Sequence, residues 1–141
     1  MKKLIFLFAI SLSIVVSSCG DDDDGVNQDL LIGSWKLSQE FENGVQITSD
    51  PCDLEDVITF KADGTFEDTY FEDNGSGTCV EVTDDINMGA WENTGGNVYS
   101  ITFDGQTNTE EISFSGNTFS VEYSDTFDGQ TTEYRDVYTR I

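Results

Sequence analysis

The sequence predicts an all-β domain, most simply an antiparallel up-and-down barrel of eight strands. Three observations carry that expectation. Apolar and polar residues alternate with period two through most of residues 29–141. Pairs of Asp or Asn with glycine recur at strand-length intervals, and no segment sustains the period of a helix. Strands with one apolar and one polar face cover a single interior, and closing them into a barrel removes the sheet edges. A two-sheet β-sandwich reads almost the same and is the structural alternative.

The elements follow in order. Trp35, Leu37 and Phe41 share one side of a strand near 34–42, with Ser34, Lys36, Ser38 and Glu40 on the other. Ile58 and Phe60 alternate with Thr59 and Lys61 over 56–62. Asp63-Gly64, a strong short hairpin signal, leads into 64–72, where Phe66 and Tyr70 oppose Thr65, Glu67 and Thr69. The next strand falls at 78–83 or at 88–93, the least patterned region. Tyr99, Ile101 and Phe103 then alternate over 98–103, Ile112 and Phe114 over 106–114, and Phe119, Val121 and Tyr123 over 117–124. A last strand covers 131–140. Gly95-Gly96-Asn97, Asp104-Gly105, Gly116-Asn117 and Asp128-Gly129 supply the turns between them. The hexapeptide Thr-Phe-Asp-Gly-Gln-Thr occurs at both 102–107 and 126–131, which reads as one turn built twice. Expected inward residues are Trp35, Leu37, Phe60, Phe66, Tyr70, Trp91, Tyr99, Ile101, Phe119, Val121 and Tyr123. Each is either plain core or a ligand contact.

Ahead of this domain, Met1-Lys2-Lys3 precedes an apolar run from Leu4 to Val16, interrupted only by Ser11 and Ser13. A basic start, a short apolar stretch and a small-residue end are the features of a secretory signal peptide. A membrane-spanning helix needs about 20 apolar residues, more than this run offers. Val16-Ser17-Ser18-Cys19 resembles the lipobox of bacterial lipoproteins, which implies cleavage before Cys19 and lipid on its sulfur. An ordinary signal peptide with a chance cysteine is the alternative. The expected organisation is a signal peptide over 1–18, an acidic flexible tether over 19–28 and a β-domain over 29–141. Asp21 to Asp24 repel one another and stay solvated, and their spacing fails the calcium-loop pattern. An acidic run behind the cysteine also resembles export signals of surface lipoproteins in Bacteroidetes-type bacteria. The expected location is the outer membrane or cell envelope, lipid-anchored, facing the periplasm or the outside.

With Cys19 lipidated, Cys52 and Cys79 form an even pair in an oxidising compartment, so a disulfide between them is expected. Closing that loop stabilises the fold by roughly 3–4 kcal/mol in the chain-entropy model. Free thiols or a metal pair are the competing readings. The chain has no histidine, and two cysteines alone do not complete a zinc site.

The formal net charge is −22, and loss of residues 1–18 would remove two lysines and no acid, giving −24. Such a charge argues against nucleic acid and anionic membrane surfaces as partners. Without histidine there is no Ser-His or Cys-His unit, and no phosphate-cradling Gly-Lys-Ser/Thr sequence occurs. Asp84-Asp85 and Glu110-Glu111 offer carboxylate pairs, but adjacent acids are expected on solvated strands of so acidic a chain. The sequence therefore reads as neither an enzyme nor a cofactor protein.

Leu31-Ile32-Gly33-Ser34-Trp35-Lys36-Leu37 resembles the Gly-x-Trp opening of lipocalin-like domains. Ile58 to Phe66, the cysteine placement and Gly89-Ala90-Trp91 are similar to small bacterial lipocalin-like lipoproteins. The resemblance implies a calyx-shaped barrel holding a small hydrophobic molecule, with an arginine of the last strand across the opening tryptophan. Arg140 is the positional candidate, and Arg135 the other. A monomer is expected. The alternative function is an envelope or surface module with a filled barrel, binding a protein or glycan through loops such as 72–79.

Overall fold

The structure, a computed structural model, describes residues 28–83 and 87–141. The expected signal segment, Cys19, the acidic run and the Asp84-Asp85 pair lie outside the described residues. The strands are β1 (Gly33–Glu42), β2 (Val45–Ile47), β3 (Val57–Phe60), β4 (Thr65–Thr69), β5 (Phe71–Asp73) and β6 (Cys79–Glu81). They continue with β7 (Asn87–Gly95), β8 (Val98–Phe103), β9 (Gln106–Ser115), β10 (Thr118–Phe127) and β11 (Gln130–Arg140). A short 3-10 turn spans Asp53–Glu55.

Eight of these strands close an antiparallel barrel in the order β1-β3-β4-β7-β8-β9-β10-β11, with β11 bonded back to β1. That last ladder, with Trp35 opposite Arg140 and Leu37 opposite Tyr138, excludes the sandwich. Both repeated hexapeptides form the same hairpin. Asp104 and Asp128 take φ of 47° and 49°, each followed by a left-handed glycine, and the flanking threonine hydroxyls meet at 2.8 and 2.9 Å. Two consecutive left-handed residues match the right-handed strand twist, which is why Asp-Gly occupies both turns.

Three strand expectations need correction. The stretch 64–72 is two strands, because the β4–β7 ladder ends at Asp68–Asn87 and the chain then pairs β5 with β6 in a separate sheet. The Asp56 carboxylate accepts the Phe71 N–H at 2.8 Å and fixes the break. Tyr70 therefore stands between sheets rather than on the barrel wall. Segments near 78–83 and 88–93 are both strands, but only β7 enters the barrel. The Cys52–Cys79 disulfide ties the loop end of the β5–β6 hairpin, where Cys79 faces Asp73, to the 3-10 turn. A third correction concerns β1, whose register slips between Leu37 and Gln39. Ser38 donates its hydroxyl to the Val137 carbonyl there (2.8 Å). One extra residue reverses the alternation. Phe41 consequently faces outward under the Arg135 guanidinium (3.9 Å), while Glu40 sits opposite Asp136. The short strand β2, absent from the sequence reading, pairs with this outer end of β1 and leaves Val45 and Ile47 exposed.

The core fills one end of the barrel. Leu31, Trp35, Phe60, Phe66, Trp91, Tyr99, Ile112 and Phe119 are buried, and each contributes on the order of 1.5–3 kcal/mol. Trp35 packs edge-on to Phe119 (4.8 Å), which stacks on Tyr138 (4.7 Å). Phe66 lies directly over Gly89, where a Cβ would sit 2.3 Å from its ring. Segment 28–32 plugs this closed end. Trp35 Nε1–H donates to the Leu31 carbonyl (2.8 Å), and the Tyr99 hydroxyl donates to Asp29 (2.8 Å). Asp29 also accepts from the Leu31 N–H (2.9 Å) and from the Asn93 amide (2.7 Å).

Candidate functional site

Above the aromatic floor the barrel is not filled. A cavity of about 140 Å³ is lined by Ile58, Phe60, Ile101, Glu110, Ile112, Phe119, Val121 and Tyr138. Its position follows from the ladders. β9 and β10 pair only over Ile112–Ser115 and Thr118–Val121. Beyond that point β9 continues with β8 and β10 continues with β11. The β9–β10 ladder ends beside Ile112 and Val121, both of which line the cavity, and the cavity is open to the surface.

A smaller cavity of about 80 Å³ is lined by Leu37, Asp56, Ile58, Asp68 and Tyr138. Ile58 and Tyr138 line both spaces. Asp68 occupies the inward position of β4 two residues after Phe66, opposite Ile58. A larger concavity, about 360 Å³, lies elsewhere, between Gly44 and the β10–β11 hairpin. Glu122, Ser124, Glu133 and Arg135 of the outer sheet face dominate its lining, so it is a solvated groove rather than an interior.

The carboxylates around the inner cavities are held in an unfavourable place for charge. Asp56 is pushed up to about 6, first by burial and then by the charges of Asp68 and Asp53, against the Phe71 hydrogen bond. Burial raises Asp68. Burial and the neighbouring Glu40 raise Asp136, while its hydrogen bond with Tyr123 acts the other way. Tyr138 is raised by burial and by Asp136 and Asp68. Burial is the largest cause of each shift, and neighbouring negative charge adds to it at Asp56, Asp136 and Tyr138.

The expected inward residues divide into four groups. Phe60, Ile101, Phe119 and Val121 line the main cavity, and Leu37 lines the smaller one. Trp35, Phe66, Trp91 and Tyr99 are buried beneath as floor. Tyr123 lies on the same side of β10 as Phe119, but toward the mouth, where it is 48% exposed and stacks on Tyr134 (5.2 Å). Tyr70 lies off the wall, as described. Arg140 is at the closed end, its guanidinium 4.1 Å from the Trp35 ring and donating to the Ile32 and Leu30 carbonyls at 2.7 and 2.6 Å.

The sequence reading missed Tyr138, Glu110, Asp56 and Asp68 as site residues. Glu110 and Asp68 each lie two positions from an inward apolar residue, Ile112 and Phe66, so the alternation itself carried the signal. Polarity masked it. Among the described residues no group of three His, Cys, Asp or Glu side chains is arranged to hold a metal ion.

The family model for a lipocalin-like domain matches residues 31–121. No curated protein matches the chain. Similar solved structures include the bovine lipocalin allergen Bos d 2, 18% identical with a TM-score of 0.43, covering 77% of this chain and 71% of the allergen. Another is the possum milk whey lipocalin trichosurin with bound 4-ethylphenol, 12% identical with a TM-score of 0.45 and coverages of 79% and 76%. Bovine odorant binding protein, complexed with its natural ligand, is 17% identical with a TM-score of 0.43 and coverages of 81% and 74%. On the family match, which spans most of the barrel, this chain belongs to the lipocalin-like domain family.

Proposed function

We propose that this chain is a lipid-anchored, extracytoplasmic binding protein whose barrel holds a small, largely apolar ligand. One observation carries the reading: the apolar cavity of about 140 Å³ inside the barrel, which is open to the surface. Its volume is close to that of engineered apolar cavities of about 150 Å³ that admit a benzene ring. The anchor part of the proposal rests on Val16 to Cys19 and on the acidic stretch behind them. The role is binding rather than chemistry.

Saturation-transfer NMR of the full chain with 2-phenylethanol tests the cavity. Transfer to the ring protons is expected, and Val121→Phe, which fills the space, should abolish it. No transfer, or transfer undiminished in a folded Val121→Phe variant, would overturn the reading.

A further inference from the structure

The two inner cavities adjoin at Ile58 and Tyr138, which line both, and they are unlike in character. The larger is walled by aliphatic and aromatic side chains, with Glu110 at its margin; the smaller adds Asp56 and Asp68. Charges inside a barrel are ordinarily paired, because an unpaired carboxylate beside apolar surface costs free energy. Here the described cations are all engaged elsewhere. Lys36 pairs with Glu55 (2.6 Å), Lys61 pairs with Glu67, Arg135 covers Phe41 and Arg140 covers Trp35. Asp56 receives one backbone N–H, and among the described residues Asp68 receives neither a hydrogen-bond donor nor a cation. Together the cavities present an apolar slot beside carboxylates that have no counter-ion among the described residues. Their chemistry complements a molecule with the opposite arrangement.

We propose that the barrel selects an organic cation, with a ring-sized apolar body between Ile58, Ile101, Phe119 and Val121 and an ammonium head at Asp56 and Asp68. This rests on the binding role proposed above and names the ligand class for the same cavity. The shared walls, Ile58 and Tyr138, place body and head within one short linker of each other. A neutral ligand of the same shape fills the slot but leaves the carboxylates unpaired. An anion is repelled by both carboxylates and by the charge of −22 on the whole chain.

The test compares 2-phenylethylamine, a cation at pH 7, with the neutral 2-phenylethanol on the full chain, by chemical-shift titration. The amine should bind at least tenfold more tightly. In Asp56→Asn/Asp68→Asn that ratio should fall below about threefold, while alcohol affinity, which also reports a folded cavity, holds. Equal affinities, or a tighter alcohol, would overturn the cation preference and leave the carrier reading standing. A preference that survives the double substitution would overturn the assigned head site. If neither compound binds, both proposals fall together.

Discussion

Arg140 closes the barrel, and replacing it with methionine tests how the closed end is held. The guanidinium stacks 4.1 Å from Trp35 and donates to the carbonyls of Ile32 and Leu30. Stacking of this kind is worth ~0.5–2 kcal/mol. A hydrogen bond from a charged donor adds roughly 1.5–3 kcal/mol, and the solvent-facing one to Leu30 adds less. Methionine keeps much of the packing volume, so Arg140→Met should cost about 2–4 kcal/mol. In urea unfolding followed by tryptophan fluorescence, that loss appears as a lower midpoint with unchanged slope. Hydrogen exchange at Trp35 Nε1–H, bonded to the Leu31 carbonyl, should accelerate as segment 28–32 loosens. Gly33→Ala provides an internal control, because its Cβ would stand 2.3 Å from the Arg140 guanidinium. If both changes act on one contact, their costs combine to less than the sum. A loss below about 0.5 kcal/mol, with unaltered exchange, would refute the view that Arg140 fastens the plug.

Two further predictions concern pH and the anchor. Asp56, held up at about 6, binds its proton more tightly in the folded protein, and burial shifts Asp53, Asp68 and Asp136 in the same direction. Their contribution to stability is therefore full below the unfolded carboxylate value and is lost as pH rises through the folded one. The urea midpoint should fall between pH 4 and 7, and Asp56→Asn should flatten that fall; a midpoint rising over the interval would contradict the assignment. Asp63, lowered by its bonds to Thr65, acts oppositely and only at more acidic pH. Separately, cells fed an alkyne fatty acid should label the native chain and not Cys19→Ser, and an unlabelled native chain would remove the anchor from the proposal.

Much of this architecture was legible without coordinates. Period two, Asp-Gly turns and the absence of helical spacing are local properties, and local sterics suffice to translate them into strands and hairpins. The same reasoning located Phe60, Ile101, Phe119 and Val121, because their alternation is uninterrupted. It failed at Phe41 and Tyr70, and it gave the side but not the exposure of Tyr123, for reasons that no local pattern contains. The bulge at Ser38 exists because β1 must follow β11, whose residues lie about a hundred positions away. Tyr70 left the wall because β5 found β6, and Tyr123 stayed exposed because β9 and β10 part company below it.

The sequence by itself determined an all-β chain with one apolar face, an even cysteine pair in the domain and a lipobox-like N-terminus. Only the tertiary structure decided that the sheet closes β11 onto β1, and that closure leaves a slot beside carboxylates that no described cation pairs. The physical reason is range. Alternation is set between neighbours, whereas a cavity and its charge balance depend on which distant side chains the closed ladder brings together.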